Sequence, residues 1–594
     1  MSDLNTKRHS AAHLLAAAIY ELYPSAKFGV GPVIDDGFYY DLLLPEALSD
    51  ESLAKVETKM REIQTRDEKF IREEMSLDQA IEFFASKNQD FKVELLKDLK
   101  EKGTTKIKPE EIADVGGSVD SASLYHTGSF TDLCRGPHVE STKEICPFKL
   151  TKIAGAYWRG NEKNPQLQRV YGLAFETQED LEKHLAMLEE AKKRDHKILG
   201  PALDLFTFSD LVGPGLPLWT PRGTILRNLL DEFVWSLRKK HGYMKVEIPH
   251  ITKKDLYVTS GHWEKYKDDL FKITTREGHE FAMKPMNCPH HTQIYARQLW
   301  SYRELPQRYA NTTTCYRDEQ TGELSGLSRV RAFAQDDAHV FCRLEQAKGE
   351  FLKIWDIIHE FYPVFGFELK VRLSTHDPAH QEKYLGEPEN WVKAEGILKE
   401  IIDEKKVAWF EGVGEAAFYG PKLDFMAKDA IGREWQVATI QLDMNMPERF
   451  DLVCINEKGE KERIVMIHAA IMGSIERFLS ILIEHVAGAF PMWLAPTQIR
   501  LATVGADFVP FAKELLIKLE AVGLRVDLDD SDEKVGKKIR SAAMMKIPWT
   551  IVVGAKEVEG GDFKINVIGQ EEDLVVPVGE LVAKAVEAGK IPKI

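Results

Sequence analysis

The sequence predicts a multidomain protein built from α+β and α/β units, and three observations carry that expectation. Its 594 residues exceed the ~100–200 of an ordinary domain several-fold. Glycine- and proline-rich breaks at Gly213-Pro-Gly-Leu-Pro and Pro491-Met-Trp-Leu-Ala-Pro496 interrupt the periodic pattern. Beyond the second break, β-like runs alternate with helical ones.

Taken in order, residues 1–177 mix short β-rich runs such as Gly37-Phe-Tyr-Tyr-Asp with helical stretches and are expected to form an α+β unit. Residues 178–199 carry apolar side chains at helical spacing on a charged background, as a linker helix would. Residues 200–492 form a long second unit. Its first helix is expected over Thr224–Lys240, where an apolar stripe ends in basic residues that suit a helix C-terminus. Residues 493–594 place strands at Ile499–Val504, Leu524–Leu528 and Trp549–Val553 between helices at Phe511–Ala521 and Lys534–Met544, which predicts an α/β domain with a largely parallel sheet.

Composition narrows the class. With 44% hydrophobic and 29% charged residues the chain can bury several cores and has no disorder signature. No run approaches the ~18 apolar residues of a membrane span, and the N-terminus lacks a signal-like apolar stretch, so a cytoplasmic protein is expected. Six cysteines without a CxxC pair argue against a disulfide framework and leave thiols for metal or catalytic work. A net charge of −15 means that any nucleic-acid partner must be met by local basic patches. The tract Lys534, Lys537, Lys538 and Arg540 is one, with a solvated helix face as the competing reading.

Two sets of residues offer chemistry. Cys288, His339 and His468 supply a thiolate and two imidazoles, which can hold zinc and leave a coordination position open. Each could equally be a packed core residue. His9 and His13, at i and i+4, share one helix face, while Cys134 and His138 form a second pair. These four are also acceptable ligands for a structural zinc.

The stretches Thr314-Cys-Tyr-Arg317-Asp-Glu319 and Gly326-Leu-Ser-Arg329 through Gln335-Asp-Asp337 resemble motif 2 of class II aminoacyl-tRNA synthetases. Ile471-Met-Gly473-Ser-Ile-Glu-Arg477 resembles motif 3, and the helix and strand ending at Pro249 resemble motif 1. The resemblance implies an antiparallel-sheet catalytic domain, a homodimer, and ATP with magnesium as substrate. It places Arg317, Glu319, Arg329 and Arg477 on the nucleotide. A guanidinium is the apt partner there, because the phosphate gains charge as a carboxylate attacks it and a planar fork binds bidentately.

Lys284-Pro-Met-Asn-Cys288-Pro, Gln335-Asp-Asp-Ala-His339, Ala417-Phe-Tyr419-Gly-Pro-Lys422 and Met466-Ile-His468 are similar to the threonyl-tRNA synthetase family over essentially the whole chain. This likeness implies one zinc ion per subunit on Cys288, His339 and His468, with threonine and tRNA(Thr) as partners. Gln335, Asp337, Tyr419 and Gln441 would line the amino-acid and adenylate pocket, Lys422 completes the matched catalytic segment, and His262 would assist transfer to the tRNA ribose. Arg8-His-Ser, Gly37-Phe-Tyr-Tyr-Asp and Asp132-Leu-Cys134-Arg-Gly-Pro-His138 resemble the family's N-terminal editing domain. There His9, His13, Asp132, Cys134 and His138 would form a water-activating pocket without a metal that hydrolyses seryl-tRNA. The last ~100 residues resemble an α/β anticodon-binding domain, which would read splayed bases, with Lys534, Lys537, Lys538, Arg540 and Glu557 as candidate contacts.

Four departures stand out. The chain opens directly on the editing unit, so the small ubiquitin-like domain of many bacterial relatives is expected to be missing. His290 and Ala469 replace a usual glycine and arginine beside the zinc residues, and Asn566 stands where an anticodon-contacting arginine is usual. The competing readings are another class II ligase, such as a prolyl or seryl synthetase, and a synthetase-like protein that only binds tRNA.

Overall fold

The computed structural model describes residues 3–105 and 120–592. Chain contacts divide into two compact units, Met1–Glu189 and Glu190–Ile594.

The first unit is built on the helix Leu4–Leu22, capped by the Asp3 side chain. Residues Ala11–Ile19 are buried on every side. Alanine makes this possible, since it favours the helix and lets neighbours approach closely. The helix packs on a five-stranded sheet whose main path runs Lys27–Phe28, Gly37–Leu43, Gln166–Ala174, Phe148–Tyr157. A second sheet joins Ile71–Ser76, Ser121–Thr127 and Phe130–Leu133 in antiparallel fashion. The expected α+β character holds.

The expected linker helix divides in two. Gln178–Arg194 is helical, and Asp195 then caps a separate short helix, His196–Ala202, by accepting from the Lys197 amide. Aspartate competes with the helical backbone in mid-helix and favours the cap, which explains the break.

In the second unit the first long helix begins one turn earlier than expected, at Pro221, because Thr220 accepts from the Gly223 amide and proline suits the first turn. The unit centres on an eight-stranded sheet. Its order is Met244–Lys245, Gln307–Tyr316, Ala332–Cys342, Val465–Ser474, Glu434–Asp443, Lys422–Lys428, Glu368–Thr375, Trp409–Val413. The central pairings are antiparallel and the two outermost parallel. One face carries the core, with Phe351, Ile354 and Ile358 of the helix Leu344–Phe361 packed with Leu479 and Leu482 of Ile475–His485.

The C-terminal sheet is mixed rather than largely parallel. Ile499–Thr503 pairs in parallel with Val526–Asp529 and Trp549–Val553, but Phe563–Val567 and Leu574–Val576 add antiparallel strands. A parallel crossover needs a dozen or more residues, and the chain between Val553 and Phe563 is too short for one. Among the described residues no helix is long and apolar enough to cross a membrane.

Candidate active sites

Strand register assembles the first site. His339 stands opposite His468, His468 opposite Gln441, and Gln441 opposite Lys422. Directly opposed residues share a face of the sheet, so four segments far apart in sequence meet in one row. Gln335, Asp337 and His339 alternate along their strand and also share that face. Asp336 points the other way, where it pairs with Arg238 at 2.9 Å and accepts the Ile471 and Met472 amides at 3.0 Å. Cys288 arrives from outside the sheet, at the start of the helix Cys288–Tyr295.

The ligand atoms of Cys288, His339 and His468 lie within 4.8 Å of one another, and all three residues are buried. Nε2 of His339 and Nδ1 of His468 are 3.1 Å apart. The opposite nitrogens are both occupied: His468 Nε2 meets Asp443 Oδ2 at 3.0 Å, and His339 Nδ1 meets His291 Nδ1 at 2.8 Å. We assign the ring protons to these outer bonds, which leaves the inner nitrogens with free lone pairs, as metal-ligating histidines have. Burial holds His339 well below the ordinary imidazole value and so keeps it neutral. Burial, with Asp337 and Asp443 nearby, pushes the Cys288 thiol well up. A buried thiol beside two imidazoles that turn bare nitrogens inward, with two carboxylates near, fits a dication that would draw off the thiol proton, and the donor set suits zinc.

These residues wall a cavity of about 490 Å³, shared by Arg317, Gln335, Asp337, Tyr419, Lys422, Gln441 and Arg477. The Arg317 guanidinium sits near the rings of Tyr266, at 5.4 Å, and Phe333, at 5.2 Å, and its buried Nε has no partner within the chain. An unpaired buried donor is costly unless a ligand completes it, so Arg317 is suited to an anion. Arg477 opens the helix Ile475–His485, which Ser474 caps. Gly473, at φ +69°, makes the strand-to-helix corner. Burial lowers Arg477 below the usual guanidinium value, which again favours an incoming negative charge. Asp337 accepts from Asn287 Nδ2 at 3.1 Å, and burial pushes its carboxyl up to about 6. Lys422 is held 3.0 Å from Asp424, and Gln441 Nε2 donates to the Gly420 carbonyl at 3.0 Å.

Three sequence-predicted residues lie off this wall. Glu319 and Arg329 pair with each other at 2.7 Å, and Arg329 also reaches Glu323 at 3.0 Å. His262 is fully buried, bonded to Ser260 Oγ at 2.8 Å and 3.7 Å from Cys288 Sγ, and burial lowers it to about 3. Of the departures, His290 turns away to Thr252 at 2.7 Å, whereas Ala469 lines the cavity.

The second site gathers all five residues named for it. His9 and His13 share a face of the first helix, Cys134 follows the strand Phe130–Leu133, and His138 stacks on Phe70. Cys134 Sγ is 3.3 Å from His9 Nε2 and 3.4 Å from His138 Nε2. His9 Nδ1 donates to the Pro137 carbonyl at 3.2 Å. Ser10 donates to the Thr6 carbonyl at 2.9 Å, so His138 Nδ1 must be the donor to Ser10 Oγ at 3.1 Å. Both rings therefore turn an acceptor nitrogen to the thiol. Burial, with repulsion from His9 and Lys92, lowers His13, burial with repulsion from His13 and His9 lowers His138 to about 2, and burial raises Cys134 to about 11. Asp132 takes the Lys92 ammonium at 2.5 Å and the Tyr40 hydroxyl at 2.5 Å, with His13 Nε2 at 3.6 Å. His9, His13, Asp132 and Cys134 line a cavity of about 750 Å³.

In the C-terminal domain Lys534, Lys537 and Arg540 are exposed. Lys538 is not: its ammonium donates to the Thr503 carbonyl at 2.9 Å and the Asp529 carbonyl at 3.1 Å, where it ties strand ends together. Glu557 accepts the Gly554 amide at 2.9 Å as a helix cap, and Asn566 donates to Asp573 at 3.4 Å.

Sequence reasoning missed His291, Asp443 and Asn287, which hold the site's polar groups in place. Asp443 lay within reach, two residues beyond Gln441 on the same strand face.

Known proteins are similar to several parts of the chain. Residues 271–486 match the tRNA synthetase class II core domain (G, H, P, S and T), residues 498–588 an anticodon binding domain, and residues 122–171 the threonyl and alanyl tRNA synthetase second additional domain. A threonine–tRNA ligase of Cytophaga hutchinsonii is 46% identical over 95% of this chain and 85% of its own length. One from Gloeobacter violaceus is 47% identical over 98% and 91%. A solved structure described as the RNA binding domain of threonyl-tRNA synthetase from Cryptosporidium parvum aligns with a TM-score of 0.64 and 36% identity, over 67% of this chain and 99% of that one.

Proposed function

The chain belongs to the threonine–tRNA ligase family, and from that premise we propose how its two cavities divide the work. It is an aminoacyl-tRNA ligase that activates threonine with ATP, charges tRNA, and edits seryl-tRNA. The observation that carries the first part is the meeting of Cys288, His339 and His468 in the wall of a cavity that also holds Arg317, Asp337 and Arg477.

In the first cavity Arg317 and Arg477 hold the ATP phosphates, delivered with magnesium, and stabilise the charge that grows as the threonine carboxylate attacks. Asp337 attracts the substrate ammonium. Gln335, Tyr419, Gln441 and Lys422 orient the adenylate, and the Glu319–Arg329 pair steadies the nucleotide loop. His262 is assigned to the transfer step through its place beside the thiol. Cys288, His339 and His468 would hold one zinc ion per subunit, and when bound it supplies open positions that the amino and hydroxyl groups of threonine fill and that valine cannot. An unmade polar contact discriminates far more strongly than a lone methyl, worth ~1–3 kcal/mol.

Serine carries the same two groups, so a second sieve is required. In the second cavity Asp132 and Lys92 hold the polar end of the pocket. His9, His13, Cys134 and His138, all uncharged, bind and orient water against the seryl ester. The presence of Lys92 supports a pocket that works without a metal. We assign editing to 1–177, the link to 178–199, activation to 200–492 and anticodon reading to 493–594, where Lys534 and Arg540 offer the RNA exposed cations, Lys537 offers an ammonium that Glu533 now holds at 2.5 Å, and Glu557 is a weaker contact. A homodimer is proposed from the motif-1 resemblance and from the exposed Met244 and Ile251 beside it, and a cytoplasmic location from the activity.

Amino-acid-dependent ATP–pyrophosphate exchange tests the reading. Exchange with threonine, weaker exchange with serine and none with valine or proline is expected, and proline-dependent exchange would overturn it. Sedimentation at working concentration tests the dimer, and a monomer that remains fully active would refute it.

A further inference from the structure

A third group of ligand-type residues, Asp195, His196 and Glu484, lies outside the cavity. It is a bonded relay and not a metal site, because every ring nitrogen is used. His196 Nδ1 is 2.6 Å from Glu484 Oε1, which also accepts the His196 amide at 3.2 Å. The second carboxylate oxygen of Glu484 is 2.6 Å from the Arg433 guanidinium. His196 Nε2 accepts the Leu327 amide at 3.0 Å. An amide can only donate, so Nε2 must be the bare nitrogen and the ring proton sits on Nδ1, toward the carboxylate.

The two ends of this relay belong to the nucleotide machinery. Leu327 lies in the loop that leaves Arg317 and returns to Gln335, closed on itself by Ser325 N donating to the Arg329 carbonyl at 3.1 Å. Glu484 lies on the helix Ile475–His485 that presents Arg477. The loop is shaped to the ring: Gly326 is at φ +50°, and a Cβ there would come within 2.3 Å of His196 Nε2. Leu327 is buried, so its amide has no water to replace the imidazole.

We propose that His196 is a positioning residue for ATP, fixing the Arg317–Arg329 loop against the helix that carries Arg477. It touches no reacting atom. The proposal rests on the reading of the cavity as the ATP site. It separates nucleotide from amino acid: Cys288, His339, His468 and Asp337 make no contact with the relay, so threonine recognition stands apart from it.

The test is pyrophosphate exchange by the full chain, titrated separately with ATP and threonine. His196→Leu is expected to raise the KM for ATP about tenfold while the KM for threonine stays within about twofold, as loss of one buried bond at one arm of the site requires. His196→Gln, whose Oε1 can take the place of Nε2, should restore the ATP KM to within about threefold. Gly326→Ala, a loop change outside the core, should reproduce the ATP defect and decides the matter if His196→Leu does not fold. An unchanged ATP KM in His196→Leu or Gly326→Ala, or a His196→Gln as impaired as His196→Leu, overturns the proposal. Absence of threonine-dependent exchange in the unaltered chain would instead overturn the functional reading beneath it.

Discussion

The two histidine–cysteine clusters use the same residue types in different electrical settings. Cys288, His339 and His468 stand among carboxylates, Asp443 bonding one imidazole and Asp337 lying 3.8 Å from another. Negative charge of that kind offsets the cost of bringing a dication into a buried place. His9, His13, Cys134 and His138 lie equally close together, but the acid beside them, Asp132, is already neutralised by Lys92 at 2.5 Å. Ligand identity therefore does not choose the metal by itself. On the proposed reading the sign of the surrounding charge does, so that one set of imidazoles would hold an ion and the other would hold water.

The largest expected effect breaks the first member of that pair. Cys288→Ala should lose its zinc and, with it, threonine activation by more than about a hundredfold, measured by metal analysis and exchange on one preparation. Retained threonine selection would refute the assignment. His13→Ala tests the second member: hydrolysis of seryl-tRNA should fall by about a hundredfold, with threonylation and zinc content untouched. Unchanged serine rejection would return the cluster to a structural role. Asp443→Asn sharpens the contrast, since removing the carboxylate behind His468 should weaken zinc about tenfold to a hundredfold in chelator competition and leave the N-terminal unit's hydrolysis as it was.

The smallest effect is on stability. His138 is lowered from 6.5 to about 2 by burial and by the charges of His13 and His9. A depressed value means that the folded state resists protonation. The stability from this group is complete above pH 6.5 and is lost as the pH falls toward 2, by at most about 1.4 kcal/mol for each pH unit. The thermal midpoint of the full chain should thus decline below pH 6.5. In His138→Phe that decline should be shallower, and an identical slope would show that the imidazole does not carry it.

The candidate ligands could be named from the sequence because each lies in its own short, distinctive segment. What fixes the ring protons was not readable. Asp443 and His291 act through register and tautomer, and nothing in Met286-Asn-Cys288-Pro-His-His distinguishes the histidine that bonds His339 from the one that turns to Thr252. The basic tract misled for a related reason. Lys534, Lys537, Lys538 and Arg540 look alike as a charged stretch, yet the turn of the helix carries Lys538 beneath it to the ends of two strands. The C-terminal sheet was read from strand and helix alternation alone, and only the shortness of the connection before Phe563 reveals the change to antiparallel pairing.

Zinc content of the purified full chain, measured on the unaltered protein, Cys288→Ala and His13→Ala, tests the contrast most directly. One zinc per chain is expected in the unaltered protein and in His13→Ala, and none in Cys288→Ala. Two per chain, or a zinc lost with His13 and kept without Cys288, would contradict it.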